Sequence, residues 1–165
     1  MFLCNEITKI INSNITNKIQ IFVDMDGVIA DYRFGEGDNI KNNVKGTYIN
    51  KRPINTAIEN LEFIKKHTNL ELCILSSCLF KEQVEEKNKW LDQFANFFEQ
   101  KNRFFVLPSD FNGRKDMKID KLISIMNERK LDKAILIDDT HEILFESISR
   151  LGDKVIPFHV STLID

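Results

Sequence analysis

Ile19-Gln20-Ile21-Phe22-Val23-Asp24-Met25-Asp26-Gly27-Val28-Ile29-Ala30-Asp31 is the stretch on which the fold turns. Its first five residues are short, β-branched and apolar, and they end in a polar cluster, which is how a buried strand reads. Four further runs share that character, at 70–75, 103–107, 134–137 and 155–158. Between them the apolar residues recur at helical spacing: 53–66, opened by Pro53 as a first-turn residue, then 80–100, 118–129 and 141–150. Strands that alternate with helices imply an α/β fold with a parallel five-stranded sheet, because parallel strands need crossovers and helices supply them.

In such a sheet a ligand sits beyond the carboxyl ends of the strands. That is where Asp24 and Asp26 follow the first strand and where Asp138 and Asp139 follow the fourth. One aspartate after a strand commonly starts a turn or caps a helix. Two strand-end pairs in one short chain are a different matter, since clustered carboxylates repel and lose hydration unless a cation or protons compensate. The donors are all oxygen, with no adjacent His or Cys set, so the cation they suit is Mg2+ rather than zinc.

The rest of the chain narrows the field. At 165 residues it suits one domain. A formal net charge of −2 provides no field toward nucleic acid or an anionic membrane, and no apolar run approaches the roughly 20 residues that span a bilayer. The first residues lack a basic start and an unbroken apolar core, so a cytoplasmic location is the expectation. Cys4, Cys73 and Cys78 fit no paired metal spacing and read as reduced thiols. Residues 1–18 read as an N-terminal helix, spaced at 2–17, or a loosely attached arm. Residues 32–52, rich in Gly and Asn, read as a loop or small insertion. His67, His141 and His159 show no ligand spacing, and His141 suits a helix start.

The strand with Asp24-Met-Asp26-Gly27-Val28, then Ser76 closing the second strand, then Ile135-Leu-Ile-Asp138-Asp139, resembles the haloacid dehalogenase superfamily and in particular its phosphatases. The motifs fall in the family's order and span nearly all the chain from Ile19 onward. The resemblance implies a Rossmann-like sheet with strand 19–23 near the middle, strand 133–137 on one side and strand 70–75 on the other. It also implies a two-step phosphoryl transfer: Asp24 attacks phosphorus, and Asp26 serves as acid and then as base. Asp24, the backbone carbonyl of Asp26 and one or both of Asp138 and Asp139 would hold magnesium. Gly27 and Ser76, with Ser77 as a further contact, would receive the phosphate, and a lysine near a helix start would offset its charge. Lys115 and Lys118 both lie near that point, and the sequence leaves the choice open.

The wider string Asp24 to Tyr32, with Ser76-Ser77 and 136–139, is similar to the pyrimidine deoxyribonucleotidase branch. The implied substrate is a small phosphorylated molecule, a (deoxy)nucleoside monophosphate, under a cap shortened to about 32–52. There Tyr32, Phe34 and Tyr48 could stack on a base, and Arg33, Lys51 and Arg52 are either contacts for a second anionic group or solvated surface charges. The alternatives are another small or macromolecular phosphoester, or a module that binds a phosphorylated ligand with low turnover.

Overall fold

A computed structural model describes residues 2–13, 18–32, 45–111 and 117–163. In chain order they form α1 (Phe2–Ser13), β1 (Ile19–Val23), α2 (Asn55–His67), β2 (Glu71–Ser77), α3 (Lys81–Phe94), β3 (Arg103–Val106), α4 (Met117–Arg129), β4 (Lys133–Asp138), α5 (His141–Leu151) and β5 (Val155–His159). The strands make one parallel sheet ordered β3-β2-β1-β4-β5. This is the expected α/β, Rossmann-like arrangement, with β1 central between β2 and β4. Strand order runs outward from β1 through β2 to β3, then returns to β4 on β1's other side. The reversal falls between β1 and β4, which is where an open parallel sheet leaves a crevice for a ligand.

The two-residue period of β1 divides the core between the faces of the sheet. Ile19, Ile21 and Val23 pack in a cluster with Leu61 of α2, Trp90 of α3 and Ile7 of α1. Phe22 points the other way, into a cluster with Leu122 of α4 and Leu144 of α5. Helices therefore cover both faces, and the N-terminal helix contributes a fully buried side chain, Ile7, to the core.

Two boundaries differ from the periodicity. The helical spacing over 80–100 holds as helix only to Phe94, where Ala95 adopts φ −148°, ψ 51°. Six more residues of helix would carry the chain about 9 Å farther from the start of β3. Instead it turns, burying Phe98, while Lys65 Nζ donates to the Phe97 carbonyl at 2.6 Å and Arg103 Nε to the Phe98 carbonyl at 2.9 Å. Pro53 does not open α2, which begins at Asn55. The chain at 52–54 pairs instead with the residues after β1: Asp31 N donates to Arg52 O and Ile54 N to Ile29 O, each at 2.8 Å, with Pro53 opposite Ala30. Proline, lacking an N–H, fits the position between those two donors. Of the expected insertion at 32–52, residues 33–44 lie outside the described residues, as do 14–17 of the expected first helix.

Candidate active site

β1 ends at Val23, but its ladder with β4 continues one step, Asp24 N donating to Ile137 O at 3.0 Å. That bond sets the Asp24 side chain, 5% exposed, beside the end of β4. The chain then turns tightly: Met25 O accepts from the backbone N–H groups of Val28, Ile29 and Ala30 at 2.8–3.2 Å. Gly27 sits in this turn at φ +76°, a region that an L side chain rarely adopts. A Cβ here would overlap the Asp139 carboxylate and come within 2.6 Å of Tyr32 Cε2. Glycine thus lets Asp139 and Tyr32 close over the turn, where Tyr32 donates to Asp139 Oδ2 at 3.0 Å.

Asp138 is the last residue of β4 and fully buried. Its Oδ1 accepts from Thr140 N at 2.9 Å and its Oδ2 from Lys118 Nζ at 2.8 Å. Lys118, near the start of α4, also reaches Asp24 Oδ2 at 3.0 Å, so one buried ammonium bridges the two carboxylates. Of the two candidate lysines, Lys118 is thus seen to face the acids, and Lys115 lies outside the described residues. Burial works against a charged Lys118, but Asp24 and Asp138 outweigh it and hold its proton more firmly than usual. Burial and the Asp24 charge push the Asp138 carboxyl up to about 6, with Lys118 opposing.

Asp24, Asp138 and Asp139 each offer a carboxylate oxygen, all within 4.8 Å of one another, close to the roughly 4.2 Å that separates opposite ligands of one magnesium ion at about 2.1 Å each. Asp24 Oδ1 is buried with no hydrogen-bond partner among the described residues, an acceptor waiting for a cation or a donor. An all-oxygen set with an orphaned carboxylate oxygen fits a hard divalent ion. The Asp26 side chain is not in this group.

Asp26 instead lies between two ammoniums: Lys51 Nζ at 2.5 Å from Oδ1 and Lys87 Nζ at 2.6 Å from Oδ2. Burial would raise this carboxyl, but the two lysines outweigh it and hold it below the ordinary carboxylate range. Lys87, fully buried on α3, also donates to Ser76 Oγ at 2.9 Å and to Ser77 O at 2.8 Å. Because Ser76 accepts from Lys87, its own hydroxyl proton is left to donate elsewhere. Ser76 is buried within β2, while Ser77 is exposed at the strand's end. Both ammoniums lie 4.9 Å from the Tyr48 ring centroid, and burial raises the Tyr48 phenol well above its ordinary value, with Asp26 and Asp24 adding to it.

The site thus brings together Asp24, Asp26, Gly27, Ser76, Lys118, Asp138 and Asp139 and adds Lys87; Lys51 turns inward onto Asp26, and Tyr48, expected as a platform for a base, is instead buried at 2% exposure beside the two ammoniums. Lys87 carried a signal: it shares the buried stripe of α3 with Gln83, Trp90 and Leu91, where a lysine is out of place. For Lys51, in a polar loop beside Arg52, the sequence left an anion contact and a solvated surface charge as alternatives; at 4% exposure it is not a surface charge. Four carboxylates face three ammoniums, a formal sum of −1 when all are ionised.

No family model matches the sequence, and no curated protein matches it. Among solved structures, a protein from Burkholderia xenovorans LB400 assigned as a haloacid dehalogenase-like hydrolase aligns with a TM-score of 0.51 at 11% identity, over 86% of this chain and 81% of that one. At that identity the likeness is one of fold: the chain shares with that protein an α/β architecture built on a parallel sheet.

Proposed function

We propose that the protein is a magnesium-dependent phosphomonoester hydrolase that forms an aspartyl-phosphate on Asp24 and acts on (deoxy)nucleoside monophosphates. One observation carries this reading: the buried Asp24 carboxylate, at the switch point of the sheet, shares Lys118 with Asp138, and its Oδ1 has no hydrogen-bond partner among the described residues. Lys118 Nζ pairs with Asp24 Oδ2 in a buried setting and leaves Oδ1 as the oxygen to attack phosphorus.

In the first step an Asp24 oxygen bonds to phosphorus, the ester P–O bond breaks, and its electron pair stays on the leaving oxygen, which takes a proton from Asp26. In the second, water attacks the aspartyl-phosphate, its proton passes to Asp26, and the bond to Asp24 breaks to release phosphate. The resting Asp26 is a carboxylate between two lysines. An arriving phosphoryl dianion is a like charge beside Asp26, and this favours the protonated form needed for the first step. Ser76 would donate its free hydroxyl proton to a phosphoryl oxygen. Asp24, Asp138 and Asp139, with the Asp26 carbonyl by family likeness, would hold Mg2+, which supplies charge neutralisation at the phosphoryl group. For the nucleotide, support comes from Tyr32, 46% exposed and tethered by its hydroxyl to Asp139, which offers a ring face at the rim of the site.

The test is phosphate release from deoxy- and ribonucleoside monophosphates, sugar phosphates and an aryl phosphate, with magnesium or chelator, for the wild type and Asp24→Asn. Release that needs magnesium, favours nucleotides and vanishes in the folded variant is the expected result. A flat ranking across esters removes the nucleotide, and full activity in Asp24→Asn removes the mechanism.

A further inference from the structure

Among the described residues of the stretch between the first motif and α2, Lys51 reaches Asp26 with its ammonium. The backbone of this stretch is fastened to α3: Glu86 accepts from Gly46 N at 2.7 Å and Tyr48 N at 2.9 Å, Glu82 pairs with Lys45 at 2.7 Å, and Trp90 Nε1 donates to the Lys51 carbonyl at 2.8 Å. From that fixed backbone the Lys51 side chain runs inward, its ammonium 4.9 Å from the Tyr48 ring centroid and 5.3 Å from that of Tyr32, and ends on Asp26 Oδ1. Lys87, from a different element, holds Oδ2. With one ammonium on each oxygen, turning the carboxyl group out of its plane breaks two charge-assisted hydrogen bonds at once, which is costly. Lys87 alone would fix one oxygen and leave the plane free to turn. A buried ammonium is a costly way to fill space, and an apolar side chain would pack here without that desolvation.

We propose that Lys51 is a positioning residue for departure of the leaving group, fixing the plane of the Asp26 carboxyl so that its proton is directed at the ester oxygen. The role rests on the phosphatase reading above. Phosphorus gains its bond to Asp24 and loses its bond to the ester oxygen, and that oxygen takes the Asp26 proton. Asp26 is left as a carboxylate between Lys51 and Lys87, a product state that both cations stabilise. Proton delivery matters most when the departing oxygen is a poor leaving group, such as a sugar alkoxide, and least for a stable aryl oxide.

The experiment compares kcat/KM, which ends at the first P–O cleavage, for a nucleoside monophosphate and p-nitrophenyl phosphate. The variants are Lys51→Met, Lys51→Arg, Asp26→Asn and the Lys51→Met/Asp26→Asn double mutant, each checked for folding by thermal unfolding. Lys51→Met should lower the nucleotide value by about 10- to 100-fold through kcat, with KM little changed, and the aryl value by less than about threefold. The double mutant should be no slower than Asp26→Asn, since both changes remove one function. Lys51→Arg keeps the charge with a different reach and should show a smaller loss, again confined to the nucleotide; it carries the comparison if Lys51→Met does not fold. Equal losses on both esters, a rise in KM alone or additive losses in the double mutant would overturn the positioning role while leaving the phosphatase reading intact. A wild type that releases phosphate from no ester would overturn both.

Discussion

Lys118 is the cation that Asp24 and Asp138 share, and Lys118→Met tests its role most directly. Its ammonium lies 3.0 Å from Asp24 Oδ2 and 2.8 Å from Asp138 Oδ2, and all three residues are buried. Methionine fills similar space and leaves two carboxylates within 4.8 Å of one another with nothing between them. Breaking a buried ion pair by removing one partner costs about 3–5 kcal/mol, because the remaining charge stays desolvated. For a domain of this size each kcal/mol moves the melting temperature by about 2–4 °C, so a fall of about 6–20 °C is expected in chelator at neutral pH. The assay is thermal and urea unfolding of wild type and variant, with EDTA and then with magnesium. Magnesium should stabilise the variant more than the wild type, since it replaces the missing charge, and a concentration 100 times its Kd supplies about 2.7 kcal/mol. Phosphatase activity should stay low even then, because the phosphoryl group loses its lysine. A variant within about 1 kcal/mol of wild type in chelator would refute the view that this ammonium neutralises the pair.

Two further outcomes follow from the geometry. Gly27→Ala places a side chain at φ +76° against the Asp139 carboxylate and Tyr32; the left-handed conformation costs about 1–2 kcal/mol and displacement of those neighbours about as much again. A melting temperature lowered by less than about 2 °C would contradict it. Burial pushes the Cys73 thiol up to about 12 and the Cys78 thiol up to about 11, with Arg129 and Lys87 respectively opposing. Both hold their protons more tightly folded than unfolded, so their contribution to stability is complete below about 9 and is lost as pH rises from there through 11–12. Native protein at pH 8 should leave both residues unalkylated by iodoacetamide, read by peptide mass, and rapid labelling of either would show the thiol to be accessible.

Much of this was legible because the signals were local. The β-branched run ending in Asp24 needs only its own residues to read as a buried strand, and the acidic pair after β4 needs only the topology to be brought alongside it. Pro53 misled because the pairing that holds it extended, Arg52 with Asp31 and Ile54 with Ile29, joins residues about twenty positions apart and leaves no periodic trace. The end of α3 misled for a related reason: Phe97 and Phe98 stand at helical spacing from Trp90 and Phe94, and the turn that follows Phe94 still buries Phe98.

Lys51 and Lys87 show the same contrast within the site. A lysine on a helix's buried stripe conflicts with the pattern around it, and that conflict can be read without a structure. A lysine in an irregular loop conflicts with nothing, so its burial depends entirely on where the loop is tied down. Here Glu86 and Trp90 of α3 supply the ties, and those same residues share a helix with Lys87. One helix therefore sets both cations on Asp26, the first directly and the second through the backbone it anchors. A perturbation of α3 that frees the 45–54 stretch should consequently disturb both oxygens of Asp26 while leaving Lys118, on the opposite face of the sheet, on Asp24 and Asp138.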